Sequence, residues 1–86
     1  MPNRESESAL LARYADLMGR RPAVRSIVLL ITQGQSRKEI AAQLGSSKHT
    51  IDWHLRRLYR DLGVRSMAEI VRLETLTTLA LQDAPP

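Results

Sequence analysis

The sequence predicts an all-α fold, a compact helical bundle, and three observations carry that prediction. The composition is aliphatic, rich in Ala and poor in Gly, with no Phe and with Tyr14, Trp53 and Tyr59 as its aromatics; such a mixture favours helices over sheets. Apolar residues recur at intervals of three and four along the chain, which is the period of an amphipathic helix. Each recurring stretch is bounded by residues that start or stop helices, among them Pro22, Gly34, Ser36, Gly45, Ser47, Gly63 and Ser66. A chain of 86 residues closes one hydrophobic core but not two, so it is read as one domain.

Five helices follow from the pattern. The first runs from about Glu5 to Met18, with Leu10, Tyr14, Leu17 and Met18 on one face, an acidic first turn and Gly19 as its stop. The second opens on Pro22, whose missing N–H costs nothing in a first turn. It carries Val24, Ile27, Val28 and Ile31 on one face and closes at Gly34. The third starts with a capping box: the Ser36 side chain accepts from the Glu39 N–H, and the Glu39 carboxylate accepts in return from the Ser36 N–H. Ile40, Ala41 and Leu44 face inward, and Gly45 ends this helix. Ser47 caps the fourth, whose buried stripe is Ile51, Leu55, Leu58 and Leu62, with Gly63 after it. A second capping box, Ser66 to Glu69, launches the fifth, with Ile70, Leu73, Leu76 or Thr77, and Ala80 on one side. Residues 1–19 form an N-terminal extension, an extra helix; residues 20–82 form the main domain and 83–86 a tail. Met1 to Ser6 and Gln82 to Pro86 read as loose ends.

The formal net charge of +4 matters less than its placement. Residues 20–65 hold ten basic side chains against Glu39, Asp52 and Asp61, while the flanking stretches are slightly acidic. A basic centre between near-neutral ends is the footprint of a polyanion binder; its bland counterpart is a solvated basic face. The chain has no Cys, hence neither a disulfide framework nor a thiolate metal site. The longest apolar run, Ile27 to Ile31, is too short to span a membrane, and Glu5 and Glu7 precede the first leucines, unlike a signal peptide. A cytoplasmic location is expected. His49 and His54 lack further ligands, so no metal and no cofactor are expected. With no nucleophile–base pair and no phosphate-binding Gly loop, neither is an enzyme.

Ser36–Leu44 and Ser47–Leu62, joined by a Gly-containing turn, make a helix-turn-helix. The outward side of its second helix presents Lys48, His49, Asp52, Trp53, Arg56, Arg57 and Arg60. The first turns of such a helix can reach base edges in a major groove, whereas arginines further along can meet phosphates. Trp53 has two readings, DNA contact or packing against another surface such as the first helix. His54, beside the buried stripe, is read as a packing residue.

The run Ser36-Arg37-Lys38-Glu39-Ile40-Ala41, then Leu44-Gly45, Ser47, Thr50-Ile51, His54-Leu55 and Leu62-Gly63-Val64-Arg65-Ser66, resembles the signature of the LuxR/FixJ (GerE-like) family over about residues 22–80. Sigma-factor region 4 shares the first half of the pattern but not the Leu-Gly-Val-Arg-Ser ending. The resemblance implies a sequence-specific transcriptional regulator. It places DNA contacts at Ser47, Lys48, His49, Thr50, Asp52, Trp53 and Arg56, with Arg37 and Lys38 near the DNA backbone. It also implies a homodimer on a two-fold site, seamed through the last helix at Ile70, Leu73, Thr77 and Ala80. Besides double-stranded DNA and a second copy, another transcriptional regulator or RNA polymerase are candidate partners.

Three positions depart from the family pattern. Ala23-Val24-Arg25-Ser26 stands where an acidic run is usual, and Ser46 stands where an apolar residue is usual, which should loosen the turn. Asp52 stands where many relatives carry Lys; it could accept from cytosine N4 or orient Arg56 as an i, i+4 pair. A rival function is a protein-interaction module that pairs with a full-length regulator and antagonises it. Receiver and ligand domains of the family have no room in 86 residues. Met1 and the capped extra helix favour a complete small regulator over a fragment of a larger one.

Overall fold

The computed structural model describes residues 6–82, which form α1 (Glu7–Arg20), α2 (Pro22–Thr32), α3 (Arg37–Leu44), α4 (Lys48–Leu62) and α5 (Met67–Gln82). The all-α expectation holds: among the described residues every regular element is a helix. Residues 1–5 and 83–86 of the expected loose ends lie outside the described residues. Ser6 and Gln82 are not loose. Ser6 is the N-cap of α1, accepting from the Ala9 N–H at 3.1 Å, and Gln82 is the last residue of α5.

The helices bury their apolar faces in two adjoining clusters. One joins Ile27 and Leu30 of α2 to Ile40 and Ala41 of α3 and to Ile51 and Leu55 of α4. The other joins Tyr14, Leu17 and Met18 of α1 to Val24 and Val28, to Leu58 and Leu62, and to Ile70 and Leu73 of α5. Helices α2 and α4 each serve both clusters along their length, and Met67 packs against both. The extra N-terminal helix is therefore part of the core.

Four expectations need correction. Gly19 does not stop α1, which continues through Arg20. The break falls at Arg21, with φ −126° and ψ 77°, because the ring of Pro22 disfavours helical geometry in the residue before it. Leu44 does not face inward. It ends an eight-residue helix, past the packed stretch that finishes at Ala41, and is 41% exposed. The box opening α5 is displaced by one residue: Glu69 accepts from the Arg65 N–H at 2.7 Å rather than from Ser66, while Ser66 accepts from the Glu69 N–H at 3.4 Å.

The fourth correction concerns the expected seam. Ile70 and Leu73 are 0% and 1% exposed, packed against α1 and α2 of their own bundle, so they have no surface to offer a second copy. Thr77 is half-buried and donates its hydroxyl to the Leu73 carbonyl at 2.8 Å; Ala80 is exposed.

Candidate nucleic-acid interface

Helices α3 and α4 pack more extensively on each other than does any other pair, and the turn between them is closed by backbone. Gly45 takes a left-handed conformation, φ 65°, and the Ser46 N–H donates to the Ala41 carbonyl at 2.8 Å. A Cβ at residue 45 would be strained at that φ, which is why the turn uses Gly. The hydrogen bond of Ser46 is made by its N–H, so closure does not call on an apolar side chain there.

Both helices begin with satisfied caps. The Ser36–Glu39 box is complete, with Ser36 N–H to Glu39 Oε1 at 2.9 Å and Glu39 N–H to Ser36 Oγ at 3.1 Å. The donated Ser36 N–H, seconded by the Ser36 hydroxyl, holds the Glu39 carboxyl below its usual range. Ser47 Oγ accepts from the Thr50 N–H at 3.1 Å and lies 3.0 Å from the Thr50 hydroxyl. No acid stands in the first turn of α4, so the positive end of its dipole and the remaining N–H groups face outward uncompensated, as an anion site requires.

With Ile51, Leu55, Leu58 and Leu62 turned into the core, Lys48, His49, Thr50, Trp53, Arg56, Arg57 and Arg60 are exposed on the opposite side of α4. Arg37 and Lys38, at the start of α3, are exposed as well. Trp53 is 47% exposed. Its ring meets that of His54 edge-on at 5.0 Å between centroids, and the Arg57 guanidinium lies 5.5 Å from the indole. An exposed cation–π contact of this kind is worth about 0.5–1 kcal/mol. His54 is half-buried.

Asp52 does not orient Arg56. It pairs across the turn with Arg37, whose Nε lies 3.2 Å from Asp52 Oδ1, in the geometry of an ion pair rather than an aligned hydrogen bond. Arg37 is thereby tied to α4, whereas Lys38, Lys48, Arg56 and Arg60 have no ion-pair partner within 4 Å among the described residues.

Asp61, to which the sequence assigned no role, is a second anchor. Its carboxylate meets Arg21 Nη1 at 2.7 Å and Arg57 Nε at 3.9 Å, and Arg13 donates to its backbone carbonyl. The Arg21 guanidinium is the main reason its carboxyl is held below the usual range, with Arg57 and Arg60 adding to the effect. This fixes the α1–α2 joint against the far end of the helix that carries Trp53. Only the i, i+4 spacing of Arg57 and Asp61 was there to be read in advance.

The match to known families covers this α3–α4 unit and its supports. A profile described as bacterial regulatory proteins, luxR family, matches residues 25–74, more than half of the chain. The chain belongs to this family. Over 51 residues it is 39% identical to the response regulator Rre1 of Synechocystis, an alignment covering 59% of this chain and 22% of Rre1. Over 50 residues it is 38% identical to Mb0914c of Mycobacterium bovis and to Rv0890c of Mycobacterium tuberculosis, both provisionally named HTH-type transcriptional regulators; each alignment covers 58% of this chain and 6% of the relative. The chain thus spans a small part of the length of these relatives. No solved structure matches it significantly. The family match begins inside α2 and leaves α1 outside.

Proposed function

We propose that the α3–α4 face binds double-stranded DNA in the major groove, sequence-specifically, and that the protein regulates transcription as a dimer on a two-fold site. One observation carries this reading: a helix-turn-helix of a bacterial regulator family whose second helix pairs a capped, acid-free N-terminus with a file of exposed, largely unpaired cations. Lys48, His49 and Thr50 in the first turn are positioned for base edges, with Trp53 one turn on. Arg56 and Arg60 are positioned for phosphates, as is Lys38 from α3. Membrane insertion is not supported, because no helix among the described residues is long and apolar enough to cross a bilayer.

The burial of Ile70 and Leu73 within their own bundle argues against a seam through them. Thr77 and Ala80 remain, and with Leu11, Ala15, Leu76 and Leu81 they line a mostly apolar cleft between α1 and α5. Leu81 is 69% exposed at its end. A second copy is the occupant this reading requires, since one short reading helix specifies only a few base pairs and two of them about one DNA turn apart multiply selectivity.

Mobility-shift titrations against genomic fragments at two salt concentrations test the proposal. Binding that weakens steeply with salt, with some fragments retained far better than others, is the expected result. Ala80→Glu, a change at an exposed site, is expected to give a folded monomer that loses the paired site and keeps weak half-site binding. A chain that ignores DNA at low salt, yet captures a full-length regulator of its family, would instead be the interaction module.

A further inference from the structure

We propose that the cleft between the C-terminal ends of α2 and α5 is a binding site for a small organic cation, an ammonium or guanidinium group on a short aliphatic body, received by the carboxylate of Glu74. The inference does not rest on the DNA-binding reading.

Glu74 is 4% exposed, the single charged residue in the core of the described chain. Its two hydrogen bonds come from neutral donors: the Tyr14 hydroxyl at 2.8 Å to Oε1 and the Thr78 hydroxyl at 2.9 Å to Oε2. A carboxylate offers about four acceptor positions, and protein donors take two of them. No Lys, Arg or His side chain lies within 4 Å of it among the described residues; the Arg25 charge reaches the adjoining Tyr14 only from farther off. A buried charge in that condition is costly unless something pairs with it.

The place where a partner would enter exists. Glu74 sits on a cleft of about 270 Å³, open to solvent, whose other walls are Leu29 and Thr32 of α2 and Thr75, Thr78, Leu79 and Gln82 of α5. Thr32 is the last residue of α2, so the negative end of that helix dipole lies here, and α2 carries no basic residue in its last turn to offset it. The carboxylate and this dipole end favour a positive guest, while Leu29 and Leu79 supply apolar walls for a short alkyl body. A cleft of this volume falls just below the usual range for drug-sized ligands, which sets the size class. Tyr14 holds Glu74 from α1, and burial with the adjoining carboxylate pushes its phenol up, so it remains an O–H donor.

The simpler alternative is that Glu74 serves only to fasten α1 to α5 through Tyr14. Amide-shift NMR titrations of the full chain with n-butylammonium and n-butylguanidinium chlorides, at constant ionic strength and with 1-butanol as the uncharged control, separate the two. Saturable shifts confined to Thr75, Thr78, Leu79 and their neighbours are expected for the cations and not for the alcohol. Glu74→Gln keeps an acceptor for Tyr14 and removes the charge; its cation affinity is expected to fall by about tenfold or more. Thr75→Leu narrows the cleft without touching Glu74, since the Thr75 hydroxyl is bonded to the Val71 carbonyl, and it decides the matter if Glu74→Gln does not fold. Absence of saturable cation shifts in the wild type, equal response to butanol, or undiminished binding in a folded Glu74→Gln or in Thr75→Leu would overturn the proposal.

Discussion

The two halves of the bundle treat charge in opposite ways. Around α3 and the start of α4 the cations stand at the surface with few partners, Arg37 being tied by Asp52. Around α1, α5 and the end of α4 several surface charges are paired, Asp16 with Arg20 at 2.6 Å, Glu7 with Arg72, and Arg21 with Asp61, although Arg60 and the buried Glu74 are not. Surface pairs of this sort contribute little stability individually, so the contrast is not one of strength. It separates a face whose cations are mostly left open from one where several surface charges are paired. The apolar clusters follow the same division, one beneath the reading helix and one beneath α1, with α2 and α4 shared.

The sharing can be broken most forcefully in the core. Ile51→Ala and Leu73→Ala, one in each cluster, are each expected to cost about 2–5 kcal/mol. Because α2 and α4 run through both clusters, urea melts of the two variants should show one transition each; a second transition in either would mean that the halves are separable.

Tyr14→Phe strands an acceptor on buried Glu74 and is expected to cost about 1–3 kcal/mol while leaving DNA affinity unchanged. Ser47→Ala, at the other half, is expected to cost about 1 kcal/mol as a lost cap and to weaken DNA binding as well. Loss of DNA affinity in Tyr14→Phe at a temperature where it is folded would couple the halves more tightly than the packing implies.

Within the reading face, arginines should differ. Arg56→Ala is expected to lower the log–log salt slope of DNA binding by about 1 if it meets a phosphate. Arg57→Ala should lower it less, since that guanidinium is already held between Trp53 and Asp61. Asp52→Ala frees Arg37, and a modest gain in affinity for all sequences alike is expected; a change of preferred site instead would make Asp52 a base-reading residue.

The smallest effect is one of pH. The Glu39 carboxyl is depressed in the folded state, so its contribution is fully present above the ordinary glutamate value and disappears as pH falls through the lowered folded one. Carboxyl-carbon NMR should place its midpoint below the ordinary value in the wild type; in Ser36→Ala, which keeps the backbone N–H donor and loses only the hydroxyl, it should rise part of the way back.

How much was legible follows the same line. The reading half was spelled out by local signals: Ser36 with Glu39, Gly45, Ser47, and the stripe from Ile51 to Leu62 all fell where expected, because caps and periodicity act over a few residues. Leu44 misled because a stripe tells which side a residue lies on and not where the neighbouring helix ends. The α1–α5 half rested on contacts between residues some sixty apart, such as Tyr14 with Glu74. One hint was present: position 74 is four beyond Ile70, on the buried side of α5, so an acid there calls for a donor. Ile70 and Leu73 were assigned to a seam because the apolar side of α5 was visible while α1, its cover, lay outside the resemblance.

A final consequence comes from the joint at Arg21. The single residue between α1 and α2 is all that turns the chain back on itself. Were that break removed, residues 7–32 would form one rod about 39 Å long, and Tyr14, Leu17 and Met18 would be carried off their own α5. Their nearest substitute shelter would be the α5 of another molecule, by exchange of the N-terminal segment between copies. Pro22, which disfavours helical geometry at the residue before it, thus works against trading of α1 between copies and helps keep each bundle closed by its own chain.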